Sequence, residues 1–166
     1  MLMDADIRVI DSLSASMGTG FLALAAAKAI EAGKSVREIL STVETLKARM
    51  NVFATVPTLK YLKLSGRISQ LQEKFASFLN IKPILTLHSG LVDAAGMVRT
   101  RAKSLNQLLE LTKNAIGRPG ATSIAIAHAY APEEAQRLKE KIQAIHKFKE
   151  IFVVEITPAL AALGGP

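Results

Sequence analysis

The stretch "TSIAIAHAYAPEEAQRLKEKIQAIHKFKEIFVVEI", Thr122 to Ile156, reads as strand, helix and strand in succession. "TSIAIAH" is a short isoleucine-rich run bounded by turn formers. In "APEEAQRLKEKIQAIHKF" the apolar positions return at helical spacing, and Pro132 suits a first turn, where its missing N–H costs nothing. "EIFVVEI" is a dense β-branched and aromatic strand. This alternation places the chain in the α/β class, with a mixed β-sheet flanked by α-helices.

The same reading extends toward the N-terminus. "IRVIDS" (Ile7 to Ser12) has strand composition, and the apolar residues of Met17 to Ile30 cover nearly every face, which predicts a helix buried on several sides and stopped by Gly33. "SVRE" (Ser35 to Glu38) has the spacing of a capping box and opens a helix with Val36, Ile39, Leu40, Val43 and Leu46 on one stripe. "NVFATV" (Asn51 to Val56) is a strand stopped by Pro57, followed by a short helix through Leu59 and Leu62 that Gly66 ends. "ISQLQEKFASFLN" (Ile68 to Asn80) has helical periodicity. "KPILTLH" and "GMVRTR" read as paired strands joined through Ser89 to Gly96, and a helix at Leu105 to Ile116 follows, stopped by Gly117, Arg118, Pro119 and Gly120. No internal repeat or low-complexity linker interrupts residues 1–166, so one domain is expected.

Composition limits the function classes. The chain has 166 residues, 49% of them apolar and 21% charged, with a net charge of +7 and no cysteine. Disulfides, thiolate catalysis and Cys-built zinc sites are excluded. No apolar run reaches the ~18 residues of a membrane span, and the first residues lack the pattern of a signal peptide, so the expected location is cytoplasmic, without stable membrane insertion. A pI near 9.8 favours an anionic ligand or an acidic protein. Nucleic acid is not the expected partner, because the basic residues are scattered and only two Tyr and no Trp stand among them.

"AGKS" (Ala32 to Ser35) resembles the end of a phosphate loop, but Lys28 stands where that motif needs its first glycine; the stretch is read as a glycine stop followed by a serine cap. "SMGTG" (Ser16 to Gly20) offers either free N–H groups to an anion or close helix packing. The three histidines, His88, His128 and His146, have no metal-ligand spacing, and His146 is placed late in a helix. No metal or cofactor is expected, and no nucleophile, base and acid assemble into an evident enzyme. His128, at a strand end, is a candidate for lining a site. In "YLKLSGRISQL" (Tyr61 to Leu71), Arg67 at an interhelical turn presents either a donor fork for a carboxylate or phosphate or an ordinary solvated charge.

"RVIDSLSASMGTGFLALAAAKAIEAGKS", "TVPTLKYLKLSGRISQ", "NIKPILTLHSGLV" and "VRTRAKSLNQLLE", in that order, resemble the later part of DegV-family proteins, the bacterial fatty-acid-binding proteins. The resemblance covers nearly the whole chain and implies the C-terminal domain of that family. It further implies a non-enzymatic carrier that holds a long-chain fatty acid between two domains and presents its carboxyl group to a fatty-acid kinase. On this resemblance Arg67 is the head-group contact, with Ser16 and Thr19 as neighbours. Arg99, Arg101 and Lys103 form the basic segment facing the kinase. Two departures stand out. The family's N-terminal domain, which supplies Thr and Ser hydroxyls to the carboxylate, is absent from these 166 residues, and Leu163 occupies the position of a family histidine. An uncovered apolar face is expected to drive homo-oligomer formation, which gives the alternative reading: a lipid-free interaction or self-assembly module.

Overall fold

The computed structural model describes residues 7–68, 81–116 and 123–165. Their order is α1 (Met17–Glu31), α2 (Val36–Arg49), β1 (Phe53–Thr55), α3 (Lys60–Leu64), β2 (Lys82–His88), β3 (Leu91–Val98), α4 (Arg101–Ile116), β4 (Ser123–His128), α5 (Pro132–Ile145), β5 (Glu150–Glu155) and α6 (Pro158–Gly164). The α/β class is as the sequence predicts. The strands fall into two sheets: an antiparallel β1-β2-β3 sheet and a parallel β4-β5 pair. The parallel pair runs in register from Ser123 opposite Glu150 to His128 opposite Glu155, with α5 as its crossover.

Local chemistry sets the helix boundaries. After α1, Gly33 donates to the Ile30 carbonyl and Lys34 to that of Ala29, and Ser35 and Glu38 then cap α2 reciprocally. "AGKS" is therefore a helix stop followed by a helix start, as read from the sequence. The end of α3 repeats the stop. Gly66, at φ 73°, donates to Lys63, while Arg67 donates to Leu62 at 3.1 Å. The chain is thereby turned so that Ile68 packs beside Leu62 and Leu85.

A second apolar cluster joins Ile126 of β4 to Ala135 and Ile142 of α5. Helix α4 links the two regions: it contacts all three strands of the antiparallel sheet and also α5, and its Leu109 packs into the second cluster. Helix α1 packs on α2 and reaches β5, where Phe21 meets Phe152 edge to face at 5.8 Å.

Several sequence expectations are corrected. Ile7–Ser12 is not a strand; it pairs with no described strand, and Val9 is 95% exposed. β-branched composition favours an extended backbone, but a strand also requires a hydrogen-bonding neighbour. Helix α1 is not buried on several sides, since Gly18, Leu22 and Ala29 are buried while Leu24 and Ile30 are exposed. In α2 the predicted stripe turns inward except for Val36, which is exposed. The connection expected over Ser89 to Gly96 is a two-residue turn, because Ser89 and Gly90 both take positive φ and β3 begins at Leu91. Arg101 starts α4 rather than ending a strand, since the Thr100 hydroxyl accepts from the Lys103 N–H and begins the helix there. His146 lies just beyond α5 in extended conformation. Helix α6 was not anticipated, although Thr157 followed by Pro158 carries its start signal and the Thr157 hydroxyl accepts from Leu160. The helix predicted at Ile68 to Asn80 and the Gly117 to Gly120 stop lie outside the described residues, apart from Ile68.

Candidate functional site

An open groove of about 2150 Å³ runs past the start of α1, the β1 strand, the turn after α3, the whole of β4 and both ends of β5. Its walls include Phe21, Leu105, Leu108 and Leu160, and its polar margin includes Ser16, Arg67, Arg101 and His128. A closed small-molecule cavity measures about 300–1,000 Å³. This space is larger than that and open to solvent, with a lining of mixed apolar and polar side chains.

Arg67 reaches the groove from the turn that ends α3. Its main chain is fixed by the bond to Leu62, and its exposed guanidinium donates to the Ser65 carbonyl at 2.7 Å. Ser16 borders the groove at the N-cap of α1 with φ 51°, a left-handed conformation uncommon for serine, and its side chain makes no capping bond. Thr19, one turn later, is directed to the preceding loop: its hydroxyl pairs with that of Ser12 at 3.0 Å and donates to the Ser14 carbonyl at 3.4 Å. Close packing accounts for Gly18 of "SMGTG", because a Cβ there would stand 1.9 Å from the Ser14 hydroxyl oxygen and 3.1 Å from the Met50 sulfur. Its main-chain N–H donates to Ala15. The motif thus serves close packing at that glycine.

Arg101 lines the groove from α4 and is clamped by Glu134 of α5, with Nε at 3.1 and 2.9 Å from the two carboxylate oxygens and a further contact from Nη2. That hydrogen bonding holds the Glu134 carboxyl below the usual carboxylate range. Arg99 and Lys103 flank Arg101 on the exposed surface. Across the groove, Lys28 of α1 meets Glu150 at 2.6 Å, and Ser123 donates to the same carboxylate at 2.9 Å. The Lys28 and Ser123 bonds lower the pKa of Glu150. Sequence reasoning did not identify Glu134 or Glu150, because each partner comes from a distant element.

Ser16 and Leu163 border the same smaller recess of about 520 Å³, together with Met17, Ile156 and Leu160. Leucine supplies no donor there. His128 also lines the large groove. Thr55 contributes a buried hydroxyl that has no hydrogen-bond partner among the described residues, a feature with no sequence signature. Among the described residues no group of three acidic or histidine side chains stands close enough to hold a metal ion, and no helix is long and apolar enough to cross a membrane.

Comparison with known proteins gives a consistent set of similarities. The family described as "Uncharacterised protein, DegV family" matches residues 1–166. A DegV domain-containing protein of Streptomyces coelicolor is 35% identical over 162 residues, covering 96% of this chain and 57% of the relative. One from Clostridium perfringens is 36% identical over 151 residues, 90% of this chain and 52% of the relative. The chain thus spans little more than half the length of these relatives. Among solved structures, one described as "Fatty Acid Binding of a DegV family Protein from Thermus thermophilus" aligns with a TM-score of 0.86 at 29% identity, covering 99% of this chain and 59% of that one. A stearic-acid-binding protein of Eubacterium ventriosum aligns with a TM-score of 0.88 at 26% identity, over 99% and 57% of the two chains.

Proposed function

The chain belongs to the DegV family, and on that premise we propose that it binds a long-chain fatty acid in the groove between α1, β1, β4 and β5. The observation that carries this reading is the groove itself, lined by apolar side chains such as Phe21, Leu105, Leu108 and Leu160 together with cationic and hydrogen-bonding ones, in a fold shared with relatives described as fatty-acid-binding. Each methylene removed from water contributes about 0.8 kcal/mol, while a carboxylate enters such a site only when hydrogen-bonded. Arg67 is the proposed head-group donor, with Ser16 beside the groove and Thr19 bracing the loop that carries Ser16.

The proposed role is that of a non-enzymatic carrier acting in the cytoplasm, with residues 1–166 as one domain of the site. The carboxyl group is presented to a fatty-acid kinase across the surface bearing Arg99, Arg101 and Lys103. Arg101, oriented by Glu134, supplies a fixed cation between two exposed ones. Native mass spectrometry of the purified chain tests binding directly. Release of a fatty-acid mass from the folded species is the expected result, and a bare chain after incubation with stearate would sink the reading.

A second reading, a self-assembly module without lipid, draws support from exposed apolar side chains, Val9 at 95% and Leu64 at 76%. Sedimentation at micromolar concentration tests it. A homo-oligomer is expected, and a strictly monomeric profile would remove it.

A further inference from the structure

His128 ends β4 at the carboxyl edge of the parallel pair, the side of such sheets where ligands are commonly held. Two bonds define its setting. Its carbonyl accepts from the Ile156 N–H at 2.9 Å, continuing the ladder one step past β5, and its ring Nδ1 accepts from the Ala131 N–H at 3.3 Å. Helix α5 has no side-chain cap from Ala131, and Pro132 brings no N–H, so the imidazole acts on the chain just before the first turn. The loop reaches this arrangement through Tyr130 at φ 52°, a conformation uncommon for tyrosine.

An Nδ1 that accepts cannot carry the proton of a neutral imidazole. The proton is therefore on Nε2, which becomes a donor. Nε2 has no hydrogen-bond partner among the described residues, and the half-buried residue lines the groove. Of the longer cations on the same groove, Arg101 is paired with Glu134 and Lys28 with Glu150, whereas Arg67 and Lys82 each give one bond to a carbonyl, of Ser65 and Pro57, and keep further donors; Arg137 lines the groove as well. His128 thus offers a donor held in place by the backbone.

We propose that His128 donates its Nε2–H to the anionic head group of the acyl ligand, with Nδ1 held by Ala131 to fix the tautomer and the ring. This rests on the fatty-acid reading above and adds a named contact to it.

Binding of the fluorescent long-chain acid cis-parinarate and of its methyl ester separates the possibilities. His128→Asn can keep an acceptor near Nδ1 but loses the distal donor; His128→Gln can place an amide donor near Nε2 but loses the cap. The expected result is acid binding about tenfold weaker in His128→Asn, with ester binding unchanged and acid affinity largely retained in His128→Gln. Unchanged acid affinity in His128→Asn, or equal loss of acid and ester, would overturn the assignment. If the unaltered chain binds neither acid nor ester, the fatty-acid reading falls and this contact falls with it. In the unaltered chain the Nε2 resonance of His128 should also shift with the acid and not with the ester. An unmoved resonance would count against the proposal even if His128→Asn failed to fold.

Discussion

The Arg67 main-chain N–H donates to the Leu62 carbonyl at 3.1 Å, so the arginine's position is set by the backbone and not by its side chain. Two substitutions separate these roles. Gly66→Ala forces alanine to φ 73° and should lower stability by about 1–2 kcal/mol in urea unfolding. Arg67→Ala keeps the turn and should change stability by less than about 0.5 kcal/mol while weakening fatty-acid binding about tenfold. Unchanged affinity would remove Arg67 from the site.

A side chain at Gly18 would have to displace the Ser14 side chain. Gly18→Ala should cost about 1–3 kcal/mol, because the new methyl group meets the Ser14 hydroxyl at 1.9 Å and the Met50 sulfur at 3.1 Å. Adding Ser14→Ala removes the nearest atom and should recover part of that loss in thermal unfolding. A double variant no more stable than Gly18→Ala would show that the Ser14 hydroxyl is not the obstacle.

The Thr55 hydroxyl is buried without a partner among the described residues. Thr55→Val keeps the branched shape of the strand residue and removes the unsatisfied oxygen, so the variant should gain about 1 kcal/mol in chemical denaturation. A loss of stability would mean that the hydroxyl has a partner in solution, such as an ordered water.

The Arg101–Glu134 pair predicts a pH dependence. The Glu134 pKa is lowered from an ordinary value of 4.5, chiefly by the hydrogen bond from Arg101. A carboxyl depressed in the folded state contributes stability that is fully present above pH 4.5 and is lost as the pH falls through the lowered value. Glu134→Gln should therefore be less stable than the unaltered chain at neutral pH and approach it in acid. Arg101 is 45% exposed at its side chain, so solvent screening keeps the neutral-pH difference below about 1 kcal/mol. Parallel stability curves across that range would show that the pair contributes nothing.

Features governed by neighbouring residues were legible in the sequence. The glycine stop and serine cap around Lys34, the Pro132 start of α5 and the strand composition of Ser123–His128 and Glu150–Glu155 depend on side chains a few positions apart, and each appears where the pattern places it. Errors arose where a distant partner decides. Ile7–Ser12 has the residues of a strand without a described strand to pair with, and the all-round apolar α1 turns only one face inward.

The candidate site divides along the same line. The sequence by itself determined the helix-ending turn that carries Arg67, the strand end that carries His128 and the α/β class, because backbone conformation answers mainly to local residues. Only the tertiary structure decided that Arg67, Ser16 and His128 border one groove while Thr19 is bound to its own loop, that Arg101 is held by Glu134, and that the His128 Nδ1 accepts from Ala131. Those outcomes depend on contacts between groups separated along the chain, whose distances exist only once the helices and strands have packed.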